Sequence, residues 1–337
     1  MKEIKKYIFL TSLIIAPILC MFISLLLGRY PVAAGTVLKV ILHKLGMSGT
    51  GSTAMAASVV LDIRLPRALL GALVGASLAV SGAAFQGVFR NPLVSSSILG
   101  VSPGAGFGAA LAILLFKNSF MIYIFAFGFG VIAVILSYFI ARTYKTTPAV
   151  MLVLGGTIVS SVFSSLISLV KYWADPYDQL PKITFWLMGS LASASYKDIM
   201  IAGIPMLLGM IGLLAIRWQI NILSMGDKEA RALGINLRFL KGILIASATL
   251  ATAGAVCVSG VIGWVGLIIP HISRMLVGND NRLLIPASLS MGASYLVIVD
   301  CISRILTGSE IPLGILTAII GAPFFVYLLK RKAGGWV

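Results

Sequence analysis

The chain has 337 residues, of which 59% are hydrophobic and only 11% charged, where a soluble domain carries about 25% charged residues. A soluble fold could not hide so much apolar surface, so the solvent of this protein is lipid. The net charge of +16 does not point to nucleic acid, because the basic residues flank apolar segments and do not line one face of a domain.

The first apolar stretch, 7–28, follows Lys2, Lys5 and Lys6. It has the charge order of a signal peptide, but it is too long and no small-x-small cleavage site follows it. Cys20 follows Leu19, where a lipoprotein site requires a small residue. A retained membrane helix is expected. Charge-free windows then recur at 68–89, 91–116, 118–141, 146–170, 199–216, 242–273, 283–299 and 311–329. They are of helical span length and lack two-residue alternation, which favours helices over a barrel. The window 242–273 has 32 residues and carries Gly254, Gly260, Gly263 and Gly266. It exceeds one helix across a core of about 30 Å and is split in two. The piece 183–196 is too short to span and is expected as a surface helix or a re-entrant segment. The expected fold is all-α: one polytopic transmembrane domain over 1–337 with about ten spans.

An even number of spans agrees with the termini. Lys2, Lys5 and Lys6 open the chain and Lys330, Arg331 and Lys332 close it, so both ends are expected in the cytoplasm. The ten-span topology places 16 basic residues inside and ten outside. In the second span Gly71, Gly75 and Ala79 recur every fourth residue, which lets helices approach closely. "ASLAVSGA" (76–83) matches "ATLATAGA" (248–255) at five of eight positions. The two segments fall in spans of opposite direction, an arrangement resembling an inverted repeat.

One charged island interrupts this chain. Ser224 to Gly242 holds six charged residues: Asp227, Lys228, Glu229, Arg231, Arg238 and Lys241. Ser224 with Asp227 three residues on can cap a short helix, and Gly234 can stop it. The expectation is a two-turn helix outside the membrane, roughly 225–233, with Ala230 and Leu233 facing a partner. Further on, His271 and Arg274 are expected to reach the cytoplasmic surface. The only other histidine, His43, falls on the opposite side, so capping is a better reading of His271 than metal binding. Cys20, Cys257 and Cys301 lie in or beside apolar runs and read as small apolar residues; a Cys257–Cys301 bridge stays open. The fifth span carries Thr157, Ser161, Ser164 and Ser168 at i, i+4, i+7 and i+11, one hydroxyl stripe. Such a stripe bonds its own backbone or a neighbouring helix.

Five segments carry a resemblance: "RLPRALLGALVGASLAVSGAAFQGVFRNPL" (64–93), "ILGVSPGAG" (98–106), "MGDKEARALGI" (225–235), "GWVGLIIPHISR" (263–274) and "IPLGILTAIIGAPFFVYLLK" (311–330). In this order and spacing the chain resembles the permease subunits of ATP-driven importers for iron–siderophore, haem and vitamin B12. The resemblance implies ten helices per subunit, a permease dimer, two ATPase subunits that bind ATP and Mg, and an external substrate-binding protein. It implies residence in a bacterial or archaeal cytoplasmic membrane. It makes the segment about 225–235 the coupling helix on the ATPase, with Gly226, Asp227, Glu229, Arg231, Leu233 and Gly234 as its residues. Arg64, Arg67 and Arg304 match positions that meet carboxylates of the binding protein. Interfacial snorkelling of Arg64 and Arg67, or neutralisation of Asp300 by Arg304, are the plainer alternatives. The resemblance also turns Thr157, Ser161, Ser164 and Ser168 into pathway lining and places a gate at Thr146 and Thr147.

No GxxxxGK[ST] loop occurs in the sequence, so ATP hydrolysis is expected on a separate chain. No cofactor, metal site or catalytic group set is expected on this one. A secondary transporter needs intramembrane carboxylates, and Asp300 is the one deep candidate. The expected cargo is a ferric siderophore or related iron complex, with haem, cobalamin or molybdate and tungstate as alternatives within the same importer type.

Overall fold

A computed structural model of the chain describes residues 2–44, 46–47, 54–116, 118–142 and 148–332. The described residues form helices and no strands. α1 (Lys2–Leu26) is followed by two short helices, α2 (Ala34–Lys44) and α3 (Ala54–Ser58). α3 runs through a π turn, Val59–Arg64, directly into α4 (Leu65–Phe89). The cause is Pro66, which has no N–H to give to the helix ladder. The helix widens ahead of it, and Leu65 N–H bonds Val60 O, five residues back.

α5 (Val101–Leu115), α6 (Ser119–Ala141) and α7 (Ala149–Trp173) form the next layer, with α8 (Gln179–Met188) as a short helix after them. α9 (Tyr196–Ala215) is followed by α10 (Arg217–Met225) and the six-residue α11 (Asp227–Ala232). α12 (Leu237–Ser259), α13 (Val265–Val277), α14 (Asn281–Ile305) and α15 (Leu313–Lys332) complete the chain. Several starts are written in the sequence as side-chain caps. Asn118 accepts from Phe120 N–H, Asn236 from Phe239 N–H and Asp280 from Arg282 N–H. Ser195 and Asp198 close a reciprocal capping box at α9.

Among the described residues, six helical segments are long and apolar enough to cross a membrane: Ala54–Phe89, α6, α7, α9, α12 and α14. Four shorter apolar helices, within α1, α5, α13 and α15, join them. The long window 242–273 does divide, into α12 and α13. The window 91–116 does not form one span, because residues 91–100 turn before α5 begins. The piece 183–196 contributes to α8, which lies against α5 and α15. α2, α3 and α10 had no hydropathy signal of their own.

α4 is the axis of the bundle: 83% of its apolar window is buried, against 22% for α6 at the periphery. α6 and α9 turn Ile132, Ile135, Leu136, Ile204, Leu207 and Ile211 outward, the surface a hydrocarbon solvent requires. α4 and α14 run antiparallel. Arg67 meets Asp300, Gly75 meets Gly292, and Gly87 meets Asn281. A Cβ on Gly75 would lie far inside contact distance of Gly292 O, and a Cβ on Gly292 would strike Gly75 O. The small-residue spacing in α4 is therefore a backbone-to-backbone seam. The two repeat-like segments also touch, through Ser81 Oγ donating to Ala248 O at 3.3 Å. Gly75→Leu should cost about 3 kcal/mol or more, because the seam has no room to relax. Gly128→Leu in α6, where a Cβ meets no atom within 4 Å, should melt like the wild type in the same detergent.

Candidate functional site

The bundle has two chemically distinct ends. At one end α10 stops at Met225 and the chain resets at Gly226, whose φ of 134° suits glycine alone. α11 follows and closes in a Schellman arrangement. Ile235 N–H bonds Ala230 O, and Gly234 N–H bonds Arg231 O, with Gly234 at φ 76°. The helix stop expected at Gly234 is thus present, but the expected cap is not. Ser224 lies inside α10 and donates to Asn221 O, so the break falls two residues later, at Gly226. Ala230 also departs from expectation. It is fully buried against the subunit, while Leu233 is 59% exposed. Lys228, Glu229, Arg231 and Ala232 share the exposed side with Leu233. Asp227 is held by Lys241 of α12 at 2.7 Å, with Lys241 buried. That contact ties α11 rigidly to the start of a spanning helix.

Beside α11 lies a cleft of about 380 Å³ lined by Gln86, Arg90, Asn91, Ser224, His271 and Arg274 among others. Gln86 is buried and organises it. Its amide donates to Val94 O and Leu267 O, and its oxygen accepts from Arg274. His271 is buried as well and does not reach the surface as expected, because α13 tucks it under α4. Asp280 joins α10 to α14. Its carboxyl is held below the usual range by Arg282 N–H and then by the Asn221 amide.

The α7 hydroxyls form one exposed face. Thr157, Ser161, Ser164 and Ser168 all lie on it. Three of them donate within the helix: Thr157 to Leu154 O, Ser161 to Thr157 O and Ser168 to Ser164 O. Leu154, Ile158 and Val162 form an exposed apolar strip alongside. Val159 is buried on the opposite side. Thr146 and Thr147 lie outside the described residues.

The other end carries a buried charge cluster, and here the sequence expectation is corrected. Arg64, Arg67 and Arg304 are 3%, 5% and 7% exposed, so their guanidinium groups are not offered to an external partner. Arg64 donates to Leu25 O and Leu26 O at 2.7 and 3.2 Å, and to Tyr30 O. It caps the last carbonyls of α1. Arg67 clamps Asp300 at 2.8 Å and Glu310 at 2.9 Å. Arg304 reaches Asp300 at 3.2 Å and Ser24 Oγ at 2.7 Å. A carboxylate this deep needs charged partners, and Arg67 and Arg304 are consumed in supplying them. Glu310 and the Arg67–Asp300 pair carry no sequence signal, since their partners are more than 200 residues apart. Cys257 and Cys301 are both free thiols.

A model of the FecCD transport family matches residues 14–331. The chain belongs to the FecCD transport family. Among its relatives is the molybdate import system permease protein MolB of Haemophilus influenzae, 40% identical over 316 residues, 93% of each chain. A probable iron chelatin transport permease of Helicobacter pylori is 41% identical over 276 residues, 82% of this chain and 83% of that one. A solved structure, described as an inward-facing metal-chelate type ABC transporter, superposes with a TM-score of 0.86 at 39% identity, covering 96% of this chain and 99% of that one. The protein is therefore an all-helical, multi-pass permease of an ABC importer. Within this FecCD chain the "RLPR" motif begins at the last residue of the π turn, Arg64, and continues into the first turn of α4 with Pro66 and the anchor Arg67. "GWVG" is the elbow between α12 and α13, where Trp264 takes a φ of 67° and packs on Gly321 of α15.

Proposed function

We propose that this permease is the membrane subunit of an ATP-driven importer for a ferric chelate. In this reading it pairs with a second copy of itself and docks two ATPase chains through α11. An external binding protein supplies the cargo at the Arg64 end. The observation that carries the reading is α11: a short helix outside the spans, stopped at Gly234 and tied to α12 by Asp227–Lys241, with an exposed leucine at its stop. The Asp227 end is then cytoplasmic. The hydroxyl face of α7 lines the route, since the Thr157, Ser161 and Ser168 donors are satisfied within the helix and hold a polar cargo weakly. Molybdate is the second reading, favoured by the Haemophilus relative.

Reconstituted with its ATPase and binding protein, the chain should take up labelled ferric chelate and not labelled molybdate; the reverse result selects the second reading. In a variant lacking Cys20, Cys257 and Cys301, cysteines at Thr157, Ser161, Ser164 and Ser168 should react with a water-soluble thiol reagent. Reactivity should change with nucleotide. Val159→Cys should stay protected inside the subunit, and Val162→Cys should react only with a lipid-soluble reagent. A stripe that stays unlabelled in every nucleotide state removes α7 from the route.

A further inference from the structure

Two cavities between α6 and α12, of about 540 and 500 Å³, adjoin one another. They share Tyr138, Gly242 and Ala246. The first begins at the Asp227 end, beside Asn236, Arg238 and Phe239. The second continues along the helices among Val131, Ile135 and Leu250 and is almost wholly apolar. Among the described residues, no carboxylate lines either cavity. Arg238 is exposed and takes part in none of the ion pairs among the described residues.

The joint opening exists because α12 has almost no side chain there. A Cβ on Gly242 would meet nothing within 4 Å, and Ala246 follows one turn later. From Arg238 to Leu250 the helix advances about 18 Å at 1.5 Å per residue. Half of a hydrocarbon core of about 30 Å is roughly 15 Å. The groove is therefore one leaflet deep, with Arg238 as the cation among its described lining residues at the watery end and apolar walls below. The outer flank of α6, with Ile132, Leu136 and Phe139 exposed, opens it sideways to the bilayer. We propose that this groove is a binding site for an anionic glycerophospholipid, one acyl chain lying against Gly242 and Ala246 and the phosphate held by Arg238. Such a lipid would brace α6 against α12 without entering the α7 face.

The test uses the purified full chain, stripped of lipid in detergent. Dioleoyl phosphatidylglycerol and dioleoyl phosphatidylcholine are added back separately, and bound lipid is counted by native mass spectrometry. One tightly held phosphatidylglycerol is expected on the wild type. Gly242→Leu should fold normally and lose it, because leucine fills the groove. Should that variant fail to fold, Ala246→Leu, which points into the same space, decides instead. Arg238→Gln should keep the lipid site but weaken its preference for phosphatidylglycerol roughly fivefold, as for one basic residue near an anionic surface. The proposal is overturned if folded Gly242→Leu or Ala246→Leu retains the tightly held lipid, or if the wild type holds both lipids equally. It is also overturned if these variants change only the oligomeric state, since the groove would then belong to a second copy of the chain.

Discussion

Asp300→Ala should destabilise the folded permease by about 3–5 kcal/mol, the usual consequence of breaking a buried pair from one side. Asp300 is the carboxylate shared by Arg67 and Arg304. Without it, the buried guanidinium groups of Arg67 and Arg304 lose their shared counter-charge, and Glu310 remains only for Arg67. The low dielectric of the bundle magnifies that repulsion. Glu310→Gln should cost far less, about 1 kcal/mol, because the Glu310 side chain is 31% exposed and water screens the change. Thermal unfolding of both variants in one detergent checks the ordering. Equal melting of Asp300→Ala and wild type would mean that the cluster is dispensable. The same geometry changes what charge reversal at Arg64 and Arg67 would report. Their loss should appear first as a folding defect, before any effect on a docked partner.

Leu233→Glu should abolish uptake while leaving the fold intact. Leu233 is mostly exposed, so the free subunit loses nothing when it changes. On the proposed docking face, a carboxylate would enter an apolar contact at about 3 kcal/mol, roughly a hundredfold in affinity for the ATPase chain. Co-purification with the ATPase measures that loss directly, and vesicle uptake measures its consequence. Lys228→Ala, on the same rim, should change little, as a solvated charge does. If Leu233→Glu carries cargo at the wild-type rate, α11 is not where the energy enters.

The sequence by itself determined the solvent, the helical class and most of the spans, because each of these is local. A run of apolar residues of bilayer length needs no other part of the chain to be read. The division of 242–273 followed from length and glycine content alone. The stop at Gly234 followed from the one residue type that takes a positive φ cheaply. The helical spacing i, i+4, i+7, i+11 also put Thr157, Ser161, Ser164 and Ser168 on one face. Tertiary structure decided everything that depends on which element meets which. Arg67 reads as a flanking cation until α14 brings Asp300 to it from 233 residues away. Ala230 reads as a docking residue until α11 folds back and buries it. Ser224 reads as a cap until α10, apolar on one side only, absorbs it. In each case a buried charge or a small apolar group takes its role from the partner that desolvates it. That partner is chosen by packing, which no spacing along the chain records.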